Sequence, residues 1–323
     1  MEFSLTGFSS QTNQDQSEYV KVLILGAGPA GLSAALYAAR AELKPLILTG
    51  MALGGQASTT DLIENYPGFP EGVGGAELGE LFQKQAERFG ARFEYDSAVE
   101  VDLSQRPFRI KTYAKEFLAE ALILAVGASP NHLNIPGEVE LTGKGVSYCA
   151  TCDGWFFKGK HVAVVGGGDS ALEEALFLTR YAELVTIIHR RDTLRGGAIL
   201  QNRVSNNPKI HIIWDTIVTK INGEKGVESL ELKNVKDNLT SSFSTDGVFI
   251  FIGNKPNTDL FTGQIQMDER GYIVVNSRME TNIPGVFAAG EVSDSVFRQV
   301  ITSAGMGAAA AIQAGRFLEH IEK

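Results

Sequence analysis

The feature that most constrains this chain is a glycine-rich turn that occurs twice, each time between an apolar strand pattern and an alanine-rich helix pattern. Tyr19 to Leu25 predicts a buried strand that runs into Gly26-Ala27-Gly28-Pro29-Ala30-Gly31. A helix is predicted from about Gly31 to Arg40, and Pro45 to Leu48 supplies the next strand. The order then recurs: strand His161 to Val165, turn Gly166-Gly167-Gly168-Asp169-Ser170-Ala171, helix from about Ser170 to Arg180, strand Leu184 to Ile188. Strand, glycine turn and helix in that order are the context in which a dinucleotide fingerprint carries meaning. Glycines let the backbone approach a pyrophosphate, and the helix start aims free N–H groups at it. A tight turn with no ligand is the alternative for either copy, but two complete units, 140 residues apart from Gly26 to Gly166, predict a protein of two nucleotides.

A length of 323 residues suits two domains. The expected fold class is α/β: two Rossmann-like, three-layer ββα dinucleotide-binding domains, the second inserted into the first. Residues 108–113 and 117–126 alternate or run apolar, ending at Ala125-Val126-Gly127-Ala128, and Asn131 to Pro136 reads as a hinge. Short strands with turns continue after residue 210 to Phe249–Gly253. Gly285 to Glu291 reads as a strand ending at a carboxylate, and an alanine-rich helix closes the chain from about Ser303. The expected division is a flexible tail at 1–17, a first domain of 18–130 and 260–323, and a second domain of 131–259.

The formal charge of −9 argues against a general nucleic-acid surface or an anionic membrane partner. Residues 1–17 are polar and carry no Lys or Arg, so a secretory signal is not expected, and no apolar stretch approaches the ~18 residues of a membrane span. The expected location is cytoplasmic. The only cysteines, Cys149 and Cys152, form a C-x-x-C followed by Asp153, between the two strand–turn–helix units. Three readings exist for such a pair. A structural zinc needs four ligands, and the five histidines show no ligand spacing. Two inert buried thiols are the second reading. A redox disulfide in a reducing compartment is the third and best supported.

The residues after the second strand of each unit report the nucleotide. Ile188 is followed by His189-Arg190-Arg191-Asp192 and then Arg195, where guanidinium groups would meet a 2′-phosphate, so NADPH is expected. In the first unit Leu48-Thr49-Gly50 offers no acid. The polar side chains that follow, Gln56, Thr59, Thr60 and Asn65, stand on a glycine-rich segment beginning at Gly54-Gly55 and suit a large heterocycle. A flavin passes electrons between a nicotinamide hydride and a disulfide, so FAD is expected there.

Together these residues resemble the low-molecular-weight, bacterial-type NADPH-dependent thioredoxin reductases. The resemblance rests on Gly26–Gly31, Gly54-Gly55-Gln56, Cys149–Gly154, Gly166–Ala171, His189-Arg190-Arg191, Gly285–Glu291 and Arg298-Gln299-Val300. It implies a homodimer and thioredoxin as the protein substrate. It implies Cys152 facing the flavin, Cys149 as the interchange thiol and Asp153 as the acid and base. It implies FAD on Gly26, Gly28, Pro29, Ala30, Gly31, Gly55, Gln56, Thr60, Asn65, Gly127, Gly290, Glu291, Arg298, Gln299 and Val300. It implies NADPH on Gly166, Gly167, Gly168, Asp169, Ser170, His189, Arg190, Arg191 and Arg195. The chain departs from the family in having Glu291 where Asp is usual and Val300 where Ala is usual. Another acceptor protein, ferredoxin as donor, or a flavin-binding regulator without turnover are the competing functions.

Overall fold

The computed structural model describes residues 17–50, 52–60 and 62–321. The expected tail at 1–17 therefore lies outside the described residues, apart from Ser17. From the N-terminus the elements are β1 (Glu18–Leu25), α1 (Pro29–Arg40), β2 (Leu46–Leu48), α2 (Gly75–Arg88), β3 (Arg92–Glu94), β4 (Ala98–Asp102), β5 (Phe108–Thr112) and β6 (Glu116–Leu124). Then come β7 (Ala128–Pro130), β8 (Val146–Ser147), the short α3 (Ala150–Asp153), β9 (His161–Gly166), α4 (Asp169–Leu178), β10 (Leu184–Ile188), α5 (Ala198–Ser205) and β11 (Ile210–Ile213). Three further strands follow, β12 (Thr216–Asn222), β13 (Ser229–Asn234) and β14 (Thr240–Ser244), then β15 (Gly247–Phe251) and β16 (Asn254–Pro256). The chain ends with β17 (Val286–Ala288) and α6 (Val300–Ile321).

Two compact units result. The first comprises the described residues within 17–55, 79–127 and 258–321, and the second those within 56–78 and 128–257. In the first, β3-β2-β1-β6-β5-β4 form one sheet. Long β6 serves two partners on one edge: antiparallel β5 along its first half (Phe108 opposite Ala119) and parallel β17 along its second (Val286 opposite Leu122). Strand β1 pairs in parallel with both β2 and β6. Its residues Val22 to Leu25 are all buried, as a parallel strand covered on both faces requires. Each such side chain contributes ~1.5–3 kcal/mol by leaving water.

The alanine run of α1 has a packing reason. Ala30, Ala34, Ala35 and Ala38 are buried in one core with Ala310, Ala311 and Ala314 of α6. The two helices come so close that a Cβ at Gly307 would lie 1.9 Å from the Ala30 carbonyl oxygen. Small residues on both faces are what allow this approach.

The second unit holds a five-stranded sheet, β11-β10-β9-β15-β8, parallel at every pairing. A separate antiparallel sheet, β12-β13-β14, follows it in sequence. Strands β7 and β16, at the two ends of the 128–257 segment, pair antiparallel with Asn254 opposite Pro130.

Candidate active site

Both glycine turns are built for an approaching ligand. In the first, Gly26 adopts φ +100°, and a Cβ there would lie 2.5 Å from the Ala125 carbonyl oxygen. Only glycine can make that turn without strain. A Cβ at Gly31 would lie 1.8 Å from the Gly26 carbonyl oxygen, so this glycine fixes the helix against the strand. Gly28 differs from both: a Cβ there would meet nothing within 4 Å. It is the N-cap of α1, no side chain caps it, and Pro29 stands in the first turn. The second turn repeats the pattern, with Gly166 at φ +153° against the Phe251 carbonyl oxygen and Gly168 as an uncapped N-cap of α4 facing open space. An open glycine at an uncapped helix start fits a phosphate group, which supplies the acceptors those N–H groups need.

Around the first turn the structure brings several expected residues together. A Cβ at Gly55 would lie 3.0 Å from Gly28 Cα, and one at Gly290 would lie 2.9 Å from Ala30 Cβ. Gly127 follows the Ala125-Val126 segment on which Gly26 rests. The half-buried Glu291 accepts no hydrogen bond from any described residue. Burial pushes its carboxyl above the ordinary value of 4.5, with Arg298 opposing and Asp294 adding to the rise. Asp294 orders the loop before α6 by accepting N–H bonds from Val296, Phe297 and Arg298. That loop leads through Arg298 and Gln299 to Val300, the first residue of α6. Gln56, Thr60 and Asn65 group with the second unit, where Gln56 Nε2 donates to the Ala128 carbonyl at 2.6 Å.

Around the second turn a loop folds back over the glycines. Arg195 and Gly196 donate their N–H groups to the Gly167 carbonyl (2.7 and 3.1 Å), and Gly197 N–H donates to Asp169 Oδ1 (2.7 Å). The Asp169 carboxylate therefore holds this loop, while Ser170 beside it is exposed. Arg190, Arg191 and Arg195 are exposed, and none forms an ion pair with a described residue. His189 is not an exposed cation. It is 4% exposed, its Nε2 donates to the Thr193 carbonyl (3.0 Å), and burial holds its pKa below the ordinary range. Its ring lies on Gly167, where a Cβ would come within 2.3 Å of Nδ1.

Cys149 and Cys152 form a closed disulfide, S–S 2.09 Å, across the start of α3. Cys152 N–H donates to Cys149 Sγ (3.2 Å), and Thr151 Oγ1 lies 3.3 Å from the same sulfur. Asp153 accepts a 2.5 Å hydrogen bond from Ser147 Oγ, which itself accepts the Cys149 N–H (3.1 Å). Buried Ser147 thus ties the carboxylate to the cysteine backbone, a role that no sequence pattern announced. Another link reaches Tyr148. Its hydroxyl donates to Glu138 (2.8 Å) and lies 2.9 Å from His132 Nδ1. Burial and the Glu138 carboxylate push the Tyr148 phenol up. Glu138 is 1% exposed and also accepts the N–H groups of Leu133 and Asn134. Trp155 and Phe156, just past α3, are exposed at 52% and 42%. No helix of the described residues is long and apolar enough to cross a membrane, and none of their His, Cys, Asp and Glu side chains cluster as a metal site.

Residues 20–314 match the family model of the pyridine nucleotide-disulphide oxidoreductases. The chain is 47% identical over 318 residues to a thioredoxin reductase of Coxiella burnetii, covering 96% of this chain and 99% of that one. It is 52% identical over 303 residues to a thioredoxin reductase of Rickettsia bellii, covering 92% and 98%. The crystal structure of thioredoxin reductase from Streptococcus pyogenes superposes with a TM-score of 0.90 at 40% identity, covering 94% of this chain and all of that one. Members of this family work with flavin and nicotinamide cofactors, and the two open glycine turns fit that requirement. The chain therefore belongs to the pyridine nucleotide-disulphide oxidoreductases and, within them, to the flavoprotein disulfide reductases of the bacterial thioredoxin reductase type.

Proposed function

We propose that this enzyme passes electrons from NADPH, through FAD and the Cys149–Cys152 pair, to thioredoxin. The observation that carries the proposal is the asymmetry of the disulfide: the donors of its turn, Cys152 N–H and the Thr151 hydroxyl, converge on Cys149 Sγ. Once the pair is reduced, they favour the thiolate at Cys149, the sulfur that attacks an external disulfide.

FAD would be held by Gly26, Gly28, Pro29, Ala30, Gly31, Gly55, Gln56, Thr60, Asn65, Gly127, Gly290, Glu291, Arg298, Gln299 and Val300. NADPH would be held by Gly166, Gly167, Gly168, Asp169, Ser170, Arg190, Arg191 and Arg195, with His189 supporting Gly167 from beneath. When bound, the two cofactors supply a hydride and a two-electron relay to the disulfide.

The protein's own residues do the thiol chemistry. Cys149 thiolate attacks the thioredoxin disulfide, forming a mixed disulfide and releasing one thioredoxin thiolate. Cys152 thiolate then attacks Cys149 Sγ, which re-forms the internal disulfide and releases the second thioredoxin sulfur. Asp153, oriented by Ser147, gives and takes the protons on these sulfurs. The exposed Trp155 and Phe156 beside the pair suit a protein acceptor over a small one, since exposed aromatic side chains mark protein contacts. The family resemblance supports a homodimer. A chain whose only two cysteines are a redox pair suits the cytoplasm.

Anaerobic titration of the visible flavin absorbance tests the whole path. NADPH should bleach it at lower concentration than NADH, and thioredoxin disulfide should restore it. A preference for NADH would refute the reading of the arginines. A bleached flavin that no thioredoxin re-oxidises would refute the acceptor.

A further inference from the structure

The loop that carries the three arginines also carries an acid, and the structure shows what restrains it. Asp192 directly follows Arg191 and stands three residues before Arg195. A free carboxylate there would pair with the guanidinium groups and repel a phosphate. It pairs instead with Lys236, at 3.5 Å, from the turn between β13 and β14.

Lys236 is itself fixed by Asp215, 2.8 Å away and only 16% exposed. Asp215 joins the two segments through its backbone as well. Its N–H donates to the Arg191 carbonyl (3.2 Å), and its carbonyl accepts the Val235 N–H (2.6 Å). The antiparallel hairpin of β13 and β14 is thus anchored to the arginine loop. Arg190, Arg191 and Arg195 meanwhile have no acidic partner among the described residues.

We propose that Lys236 is a specificity-determining residue for the second nucleotide: by holding the Asp192 carboxylate, it keeps the three arginines available to a 2′-phosphate. This rests on the NADPH reading given above. The chemistry it selects is a ribose 2′-phosphate, carried equally by NADPH and by 2′,5′-ADP. A nucleotide with a bare 2′-hydroxyl gains nothing from it.

The test is calorimetric binding of 2′,5′-ADP and of ADP to the flavin-loaded enzyme at low ionic strength. Releasing one carboxylate at the edge of a dianion site should weaken 2′,5′-ADP by about fivefold in Lys236→Met, an effect that shrinks with added salt. ADP affinity should not change. The double variant Lys236→Met/Asp192→Asn should recover wild-type affinity for 2′,5′-ADP, and because it lacks the same lysine, recovery also shows that the site still folds. Lys236→Arg should bind as wild type. Undiminished binding in Lys236→Met, or no recovery in the double variant, overturns the proposal. Equal binding of 2′,5′-ADP and ADP by the wild type would overturn the NADPH reading itself, and this inference with it.

Discussion

Neighbouring glycines of the second turn should fail in opposite ways when each is changed to alanine. At Gly167 a Cβ would lie 2.3 Å from His189 Nδ1, against 3.4 Å for ordinary contact, so about 1 Å must be found. The ring cannot swing aside cheaply, because it is buried and held to the Thr193 carbonyl. Gly167→Ala should therefore cost about 1–3 kcal/mol of folding stability and lower the Tm by ~2–4 °C for each. At Gly168 the added methyl meets nothing within 4 Å, and the backbone (φ −91°, ψ 179°) is open to any residue. The lost N-cap preference of glycine and the stiffer unfolded chain offset each other to within ~0.5 kcal/mol. The methyl does occupy the space where a phosphate would sit on the α4 N-terminus. Gly168→Ala should keep the wild-type Tm and raise the KM for NADPH at least tenfold, about 1.4 kcal/mol. Differential scanning calorimetry and steady-state kinetics on both variants decide it. A wild-type KM in Gly168→Ala, or equal losses of Tm in the two variants, would refute the assignment of that open space to a ligand.

Two carboxylates, half-buried Glu291 and buried Glu138, should respond to pH in opposite directions. The fold favours the protonated form of Glu291, so its contribution to stability is full below the ordinary 4.5 and is lost as pH rises through the raised value. Glu291→Gln should then be more stable than wild type near neutrality and indistinguishable from it at about pH 4, in urea denaturation of the flavin-stripped protein. For Glu138, burial opposes ionisation, but the N–H groups of Leu133 and Asn134 and the Tyr148 hydroxyl outweigh it and lower the carboxyl. Its contribution is present at neutral pH and lost as pH falls through the lowered value. Glu138→Gln places an amide NH2 among donors and should cost ~2–3 kcal/mol at neutral pH, the gap closing in acid.

The two βαβ units were legible because their signals are local. The strand Leu184–Ile188 ends where the sequence places it, and β1 and β9 differ from their expected ends by one residue. Helix α6 begins at Val300, before the expected Ser303, since Thr302 hydrogen-bonds the Gln299 backbone and draws the first turn forward. Helix α2 stands outside the sequence expectation, although Leu78, Phe82 and Ala86 recur at the spacing of one helical face. Its charged residues and flanking glycines mask that stripe. The same limit applies at the sites. Arginines after a strand can be read in one dimension, but Lys236 against Asp192, Ser147 against Asp153 and Tyr148 against Glu138 need the folded chain to meet. His189 shows the converse: a residue beside two exposed arginines turned inward, because Gly167 leaves room for its ring.

The close seat of α6 on α1 has a consequence for the order in which the molecule can be made. The first glycine turn is synthesised well before Gly307, Ala310 and Ala314, which wall the helix that follows it. The first unit draws on segments to either side of 128–257, whereas most of the second is that one continuous run. The second unit can therefore complete itself on the nascent polypeptide, as domains do when their sequence has emerged. The first must wait until α6 has been made, so β1 and α1 find their final neighbours only after the second unit's main segment has emerged.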